Sequence, residues 1–158
     1  MDAQSLSQQK KKIKALRYLW QLNEQRINER NLELQGQEKK LAIITHAFNE
    51  VEMLIMQCEE KVSKAFSPGS LISPEDIMNI NDFIVGQRLK KQLLQSESDN
   101  AENICEKTKD ILIELNVERR LLGEKIAQKQ ESTIQMLNSM EMKEVEDLFL
   151  SRMERKAI

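Results

Sequence analysis

The chain has 158 residues, 32% of them charged and only 4% aromatic, with four Gly and two Pro. A compact globule draws on aromatic side chains for its core and on Gly and Pro for its loops, so this composition favours long helices that each bury a narrow stripe. A formal net charge of −2 excludes a global field that would draw the chain to nucleic acid or anionic lipid. No apolar run approaches the roughly 20 residues that span a bilayer, and the polar, lysine-rich start up to Arg17 has no signal-peptide core, so retention in the cytosol is expected.

The first predicted element is a helix over about 5–66. Stepping by seven from Leu6 meets Ile13, Trp20, Ile27, Leu34, Leu41, Phe48, Ile55 and Val62, all apolar. Three residues after each of these lie Gln9, Leu16, Asn23, Arg30, Gln37, Ile44, Val51, Cys58 and Ala65. A heptad pattern sustained this long specifies a supercoiled helix with a partner along its length. The polar positions Asn23, Arg30 and Gln37 weaken the middle of the seam and are read as fixing its register.

The one strong breaker cluster follows, Ser67-Pro68-Gly69-Ser70, and places a turn over 67–73. Ser73 then suits an N-cap, Pro74 the first helical position, and Glu75 and Asp76 the positive end of the helix dipole. A second helix over about 74–155 is predicted, with soft spots at Gly86 and around Ser96–Asn100. The fold class is therefore all-α, a single long two-helix antiparallel coiled-coil hairpin over 1–158. A rise of 1.5 Å per residue makes such a hairpin roughly 90–120 Å long.

Folding the second helix back sets Ile80 near Val62, Leu94 near Phe48, Ala101 near Leu41, Leu115 near Ile27 and Leu122 near Trp20. Its seam then reads Ile80, Ile84, Leu94, Ala101, Cys105, Thr108, Leu112, Leu115, Leu122 and Ile126. Large residues of the first helix face small ones between Ala101 and Thr108, which lets the layers interdigitate. Residues after about Met136 overhang the first helix. They include Met136, Leu137, Met140, Met142, Val145, Leu148, Phe149, Leu150 and Met153, an apolar set with methionine's adaptability.

Site chemistry is sparse. His46 is the sole histidine, Cys58 and Cys105 have no metal-ligand spacing, and no phosphate loop or nucleophile motif is present. No enzymatic activity, cofactor, metal or disulfide is expected. The chemistry the chain does carry is charge. Lys10, Lys11, Lys12, Lys14 and Arg17, with Arg152, Arg155 and Lys156, make the open end of the hairpin basic. Glu50, Glu52, Glu59, Glu60, Glu75, Asp76 and Asp82 make the turn end acidic, so the two ends suit partners of opposite charge. No aromatic side chains interleave with the lysines, which argues against nucleic acid.

With these features the chain resembles the FliJ/YscO group, the coiled-coil stalk proteins of flagellar and virulence type III secretion. The resemblance rests on the length, the basic and regular first helix from Leu6 to Val62, and the turn Ser67-Pro68-Gly69. It also rests on the stretch Ile80-Asn81-Asp82-Phe83-Ile84-Val85-Gly86-Gln87-Arg88-Leu89, on Val117-Glu118-Arg119-Arg120-Leu121-Leu122 ahead of Lys125 and Lys129, and on the closing Glu144-Val145-Glu146-Asp147-Leu148-Phe149. It implies a non-enzymatic stalk, cytoplasmic and peripheral to a membrane-embedded apparatus. Such a stalk inserts its open end into the pore of a hexameric secretion ATPase, contacts the cytoplasmic domain of the export gate, and can bind secretion chaperones. Carried onto this chain, the ATPase-facing residues are Lys10, Lys11, Lys12, Lys14, Arg17, Met140, Leu148, Phe149 and Arg152. The gate-facing residues are Phe48, Phe83, Gln87 and Arg88. The family often has tyrosines near its gate-binding region, whereas the only tyrosine here is Tyr18, toward the other end. The alternatives are a secretion chaperone that wraps an export substrate and a structural coiled-coil tether.

Overall fold

The computed structural model describes residues 3–157 and consists of two α-helices, α1 (Ala3–Ala65) and α2 (Pro74–Ala157). Residues 1, 2 and 158 of the expected hairpin lie outside the described residues. The two helices pack against each other as an all-α helical hairpin with no strand among the described residues. By packing, the chain divides into a turn unit, Arg30–Ile111, and a terminal unit, Met1–Glu29 with Leu112–Ile158.

The turn forms where the breaker residues stand. The amides of Phe66 and Ser67 close the end of α1 on the carbonyls of Ser63 and Lys64. Gly69 takes a positive φ of 87°, a conformation that L side chains resist and glycine does not. α2 then starts on a capped first turn. The Asp76 amide donates to Ser73 Oγ at 3.2 Å and the Ile77 amide to the Ser73 carbonyl at 3.2 Å. Glu75 and Asp76 in the first turn, and Arg155 and Lys156 in the last, complement the dipole of α2. Neither Gly86 nor Ser96–Asn100 interrupts α2, which is helical throughout.

Burial on α1 follows the heptads. Every position of the two series that begin at Leu6 and Gln9 is buried or half-buried. On α2 the seam is longer and more polar than the apolar residues alone indicate. Ile77, Ile84, Lys91, Ser98, Cys105, Leu112, Arg119, Ile126, Thr133 and Met140 form one buried or half-buried series; Ile80, Gln87, Leu94, Ala101, Thr108, Leu115, Leu122, Lys129 and Met136 form the other. Met136 and Met140 are thus half-buried seam residues and not overhang. The reason is that α1 begins at Ala3 and keeps Ser5, Leu6 and Gln9 half-buried, which extends the pairing.

In the turn unit the core is Val51, Ile55 and Ile84, with Cys58, Val62, Ile80 and Leu94 packed around them. Small residues occupy α2 where larger ones stand on α1. Cys105 and Thr108 are buried, and the Thr108 hydroxyl donates to the Ile104 carbonyl at 3.2 Å instead of being left unpaired. Lys91 reaches back over the seam, its ammonium 5.5 Å from the Phe48 ring centroid and 3.1 Å from Glu52. The long stem covers apolar surface while the charge finds a partner at the edge. Arg88 pairs with Glu59 at 2.9 Å.

In the terminal unit the seam is built around Asn23, only 2% exposed. Its Nδ2 donates to the Leu115 carbonyl at 3.1 Å and to Glu118 Oε2 at 3.2 Å. Arg119 lies over Trp20, 4.8 Å from the ring centroid, and 3.5 Å from Glu24. These contacts bracket the register expected from Leu122 opposite Trp20 and Leu115 opposite Ile27. Asn23 Oδ1 is buried without a partner, a cost in stability that a polar residue fixing the register would carry. Asn23→Leu is expected to raise stability by about 1–2 kcal/mol, because Leu115 keeps its helical hydrogen bond and Glu118 stays in water. It should also broaden the distribution of oligomers seen by light scattering. A stabilised variant that keeps a single mass would refute the register role.

Candidate docking surfaces

The basic end of α1 arises because the inward positions Gln9, Ile13 and Leu16 leave Lys10, Lys11, Lys12, Lys14 and Arg17 on the outward faces. All five are exposed. Among the described residues none of the five forms an ion pair. Lys10, Lys14 and Arg17, spaced four and three apart, share one face. With Ile13, Gln130, Thr133 and Ile134 they line an open groove of about 650 Å³. Its floor is apolar, its rim is cationic, and the buried Thr133 hydroxyl is already committed to the Lys129 carbonyl at 2.8 Å. Lys11 and Lys12 do not line this groove.

The remaining residues expected to face the ATPase sit further along α2 in the same unit. Met140 closes the seam. From Glu141 to Lys156 every side chain is exposed, including Leu148 at 64%, Phe149 at 62% and Arg152. Helical rise puts Leu148 roughly 20–30 Å beyond the level of the groove. The nine residues therefore share a unit but not a surface: Lys10, Lys14 and Arg17 rim the groove, Lys11 and Lys12 lie beside it, Met140 belongs to the seam, and Leu148, Phe149 and Arg152 stand on the exposed end of α2.

The turn unit separates its four expected gate residues. Phe48 and Gln87 face the seam, and Gln87 Oε1 is buried with no hydrogen-bond partner. Only Phe83, 46% exposed, and Arg88 present themselves outward, the latter tied to Glu59. Of the seven acidic residues expected to mark the turn end, four stand beside a basic side chain or His46. Glu50 pairs with His46, Glu52 with Lys91, Glu59 with Arg88 and Glu60 with Lys64, which leaves Glu75, Asp76 and Asp82 outside these pairs. A surface that sequence reasoning missed lies on α2, where Met78, Val85, Leu89 and Leu93 are exposed at spacings of seven, four and four. The helical period of that stripe is legible in the sequence, but the stronger seam beside it masks the signal.

Other chemistry is limited to isolated groups. Both cysteines are free, Cys105 buried and Cys58 half-buried. Among the described residues no group of three or more His, Cys, Asp or Glu side chains is placed to hold a metal ion. No helix in this range is long and apolar enough to cross a membrane. No family model matches the chain, and neither a curated protein nor a solved structure is significantly similar to it.

Proposed function

We propose that this chain is a non-enzymatic, cytoplasmic stalk and adaptor of a type III secretion apparatus, binding the hexameric export ATPase and coupling it to the export gate. The observation that carries the reading is that the terminal unit bears both a cationic face on α1 and, at the end of α2, an unbroken exposed stretch rich in large apolar side chains. Five cations without ion pairs stand on α1, and the last turns of α2 carry six exposed large apolar side chains, Met142, Val145, Leu148, Phe149, Leu150 and Met153. A spacer coiled coil has no use for such a surface, whereas a docking end needs apolar anchors rimmed by charge. Phe83 and Arg88 are the outward residues for the gate contact, with the stripe Met78, Val85, Leu89 and Leu93 beside them. Phe48 and Gln87 act only by holding the seam beneath.

The test is capture from native cytosol with the chain tagged in the turn at Gly69, which leaves the terminal unit unencumbered. Recovery of a hexameric secretion ATPase supports the reading. Recovery of a small secreted protein alone would replace it with a secretion chaperone, and recovery of neither would remove both.

A further inference from the structure

The apolar residues beyond Met140 do not continue the seam. Continuing the two heptad series past Met136 and Met140 meets Lys143, Asp147, Leu150 and Glu154, three of them charged. The apolar residues lie instead at Met142, Val145, Phe149 and Met153, flanked by Leu148. At about 100° per residue this stripe is turned more than a quarter of the way round the helix from the seam. It does not await an extension of α1; it is a separate contact face with its own phase, and all four side chains are exposed.

The charges along this segment are polarised. Glu141, Glu144, Glu146 and Asp147 stand against a single Lys143 in the first half, and Arg152, Arg155 and Lys156 against a single Glu154 in the second. Among the described residues none of these groups forms an ion pair. The pattern is self-complementary in one orientation only. Of these charges Glu141 and Glu146 in the first half and Arg152 and Lys156 in the second flank the stripe, while Glu144 and Asp147 lie on the far face. Two copies laid antiparallel, with Met142 near Met153 and Val145 near Phe149, therefore set the flanking acids of each toward the flanking bases of the other. A parallel pair would set acid on acid and base on base. Two-fold pairing of this kind is isologous and closes at the dimer.

We propose that a second copy of this chain covers the stripe Met142, Val145, Phe149 and Met153, the two ends of α2 pairing antiparallel through apolar contacts and reciprocal charge. This goes beyond the secretion reading and does not depend on it. It also gives that reading a consequence: Leu148 and Phe149 are occupied in the dimer, so self-association competes with any other partner for them.

Sedimentation of the full chain over a concentration series is expected to show a monomer–dimer equilibrium that weakens as salt screens the charges. The variant R152E/R155E/K156E, net acidic in both halves, should be monomeric throughout, and so should E141K/E144K/E146K/D147K, net basic in both halves. A mixture of the two should restore the dimer mass. Oxidative cross-linking should join Met142→Cys chains to Met153→Cys chains in a mixture and link neither variant to itself through the introduced thiols. A wild-type chain that stays monomeric overturns the proposal. So does a dimer that survives charge reversal, the behaviour of a pair swapped through the turn, or a mixture that fails to re-form it.

Discussion

Replacing Leu148 and Phe149 together with aspartate is expected to abolish capture of the proposed ATPase partner while leaving helical content and thermal stability unchanged. Both side chains are more than half exposed and take no part in the packing of α1 on α2. Their replacement therefore removes no core contact, and surface substitutions of this kind usually move stability by under about 0.5 kcal/mol. Binding is another matter. Apolar anchors at the centre of an interface each contribute about 2 kcal/mol or more, and two buried carboxylates in their place add a desolvation cost. The loss should exceed about 10³-fold in affinity if both residues are anchors. Charge neutralisation of Lys10, Lys14 and Arg17 should act differently, slowing association and flattening its salt dependence. Capture that persists in the double aspartate variant at wild-type level would sink the docking role of this end.

Ile84→Ala is the substitution expected to cost most in folding. Ile84 is one of only three residues in the buried core cluster of the turn unit, where Val51 is 2% exposed and Ile55 lies alongside. Deleting its outer carbons removes the transfer free energy and leaves a cavity between two stiff helices, a cost of about 2–5 kcal/mol. A domain commonly has only about 5–15 kcal/mol in total, so this is a large share. Thermal and urea melts followed by circular dichroism should show it, with Ile43→Ala as the comparison. Ile43 is equally apolar but 69% exposed, and its truncation should be close to neutral. Equal effects at the two positions would mean that the seam does not carry the stability.

Much of the fold is legible in the residues because α1 states its buried face twice. The Leu6 series is wholly apolar, and the Gln9 series beside it is buried in step with it. The turn is equally plain, since Ser73 caps, Pro74 starts and Gly69 takes the one positive φ among the described residues. The observed boundaries, Ala3–Ala65 and Pro74–Ala157, differ from the expected ones by no more than two residues. The candidate surfaces were less readable. The basic run, the apolar end of α2 and the inward heptad position of Phe48 can be seen in the letters, which already sets Phe48 against its role as a gate contact; the inward placement of Gln87 cannot, because an amide serves either face of a helix.

Sequence by itself determined that this protein is two helices joined at one turn, which face of α1 is buried, and that a basic run opens α1 while apolar residues recur at the end of α2. The apolar members of the α2 seam from Ile80 to Ile126 were legible as well; the tertiary structure alone decided its polar members other than Thr108. Lys91, Arg119, Lys129, Gln87, Ser98 and Thr133 occupy its seam, and none of them announces burial as a residue type. Small polar side chains leave room for the larger residues of α1, while the stems of lysine and arginine lie along apolar surface and carry their charges out to Glu52 or Glu24. Whether such a residue counts as core depends on what stands across from it. Periodicity within one helix cannot supply that information; the packing of the pair does.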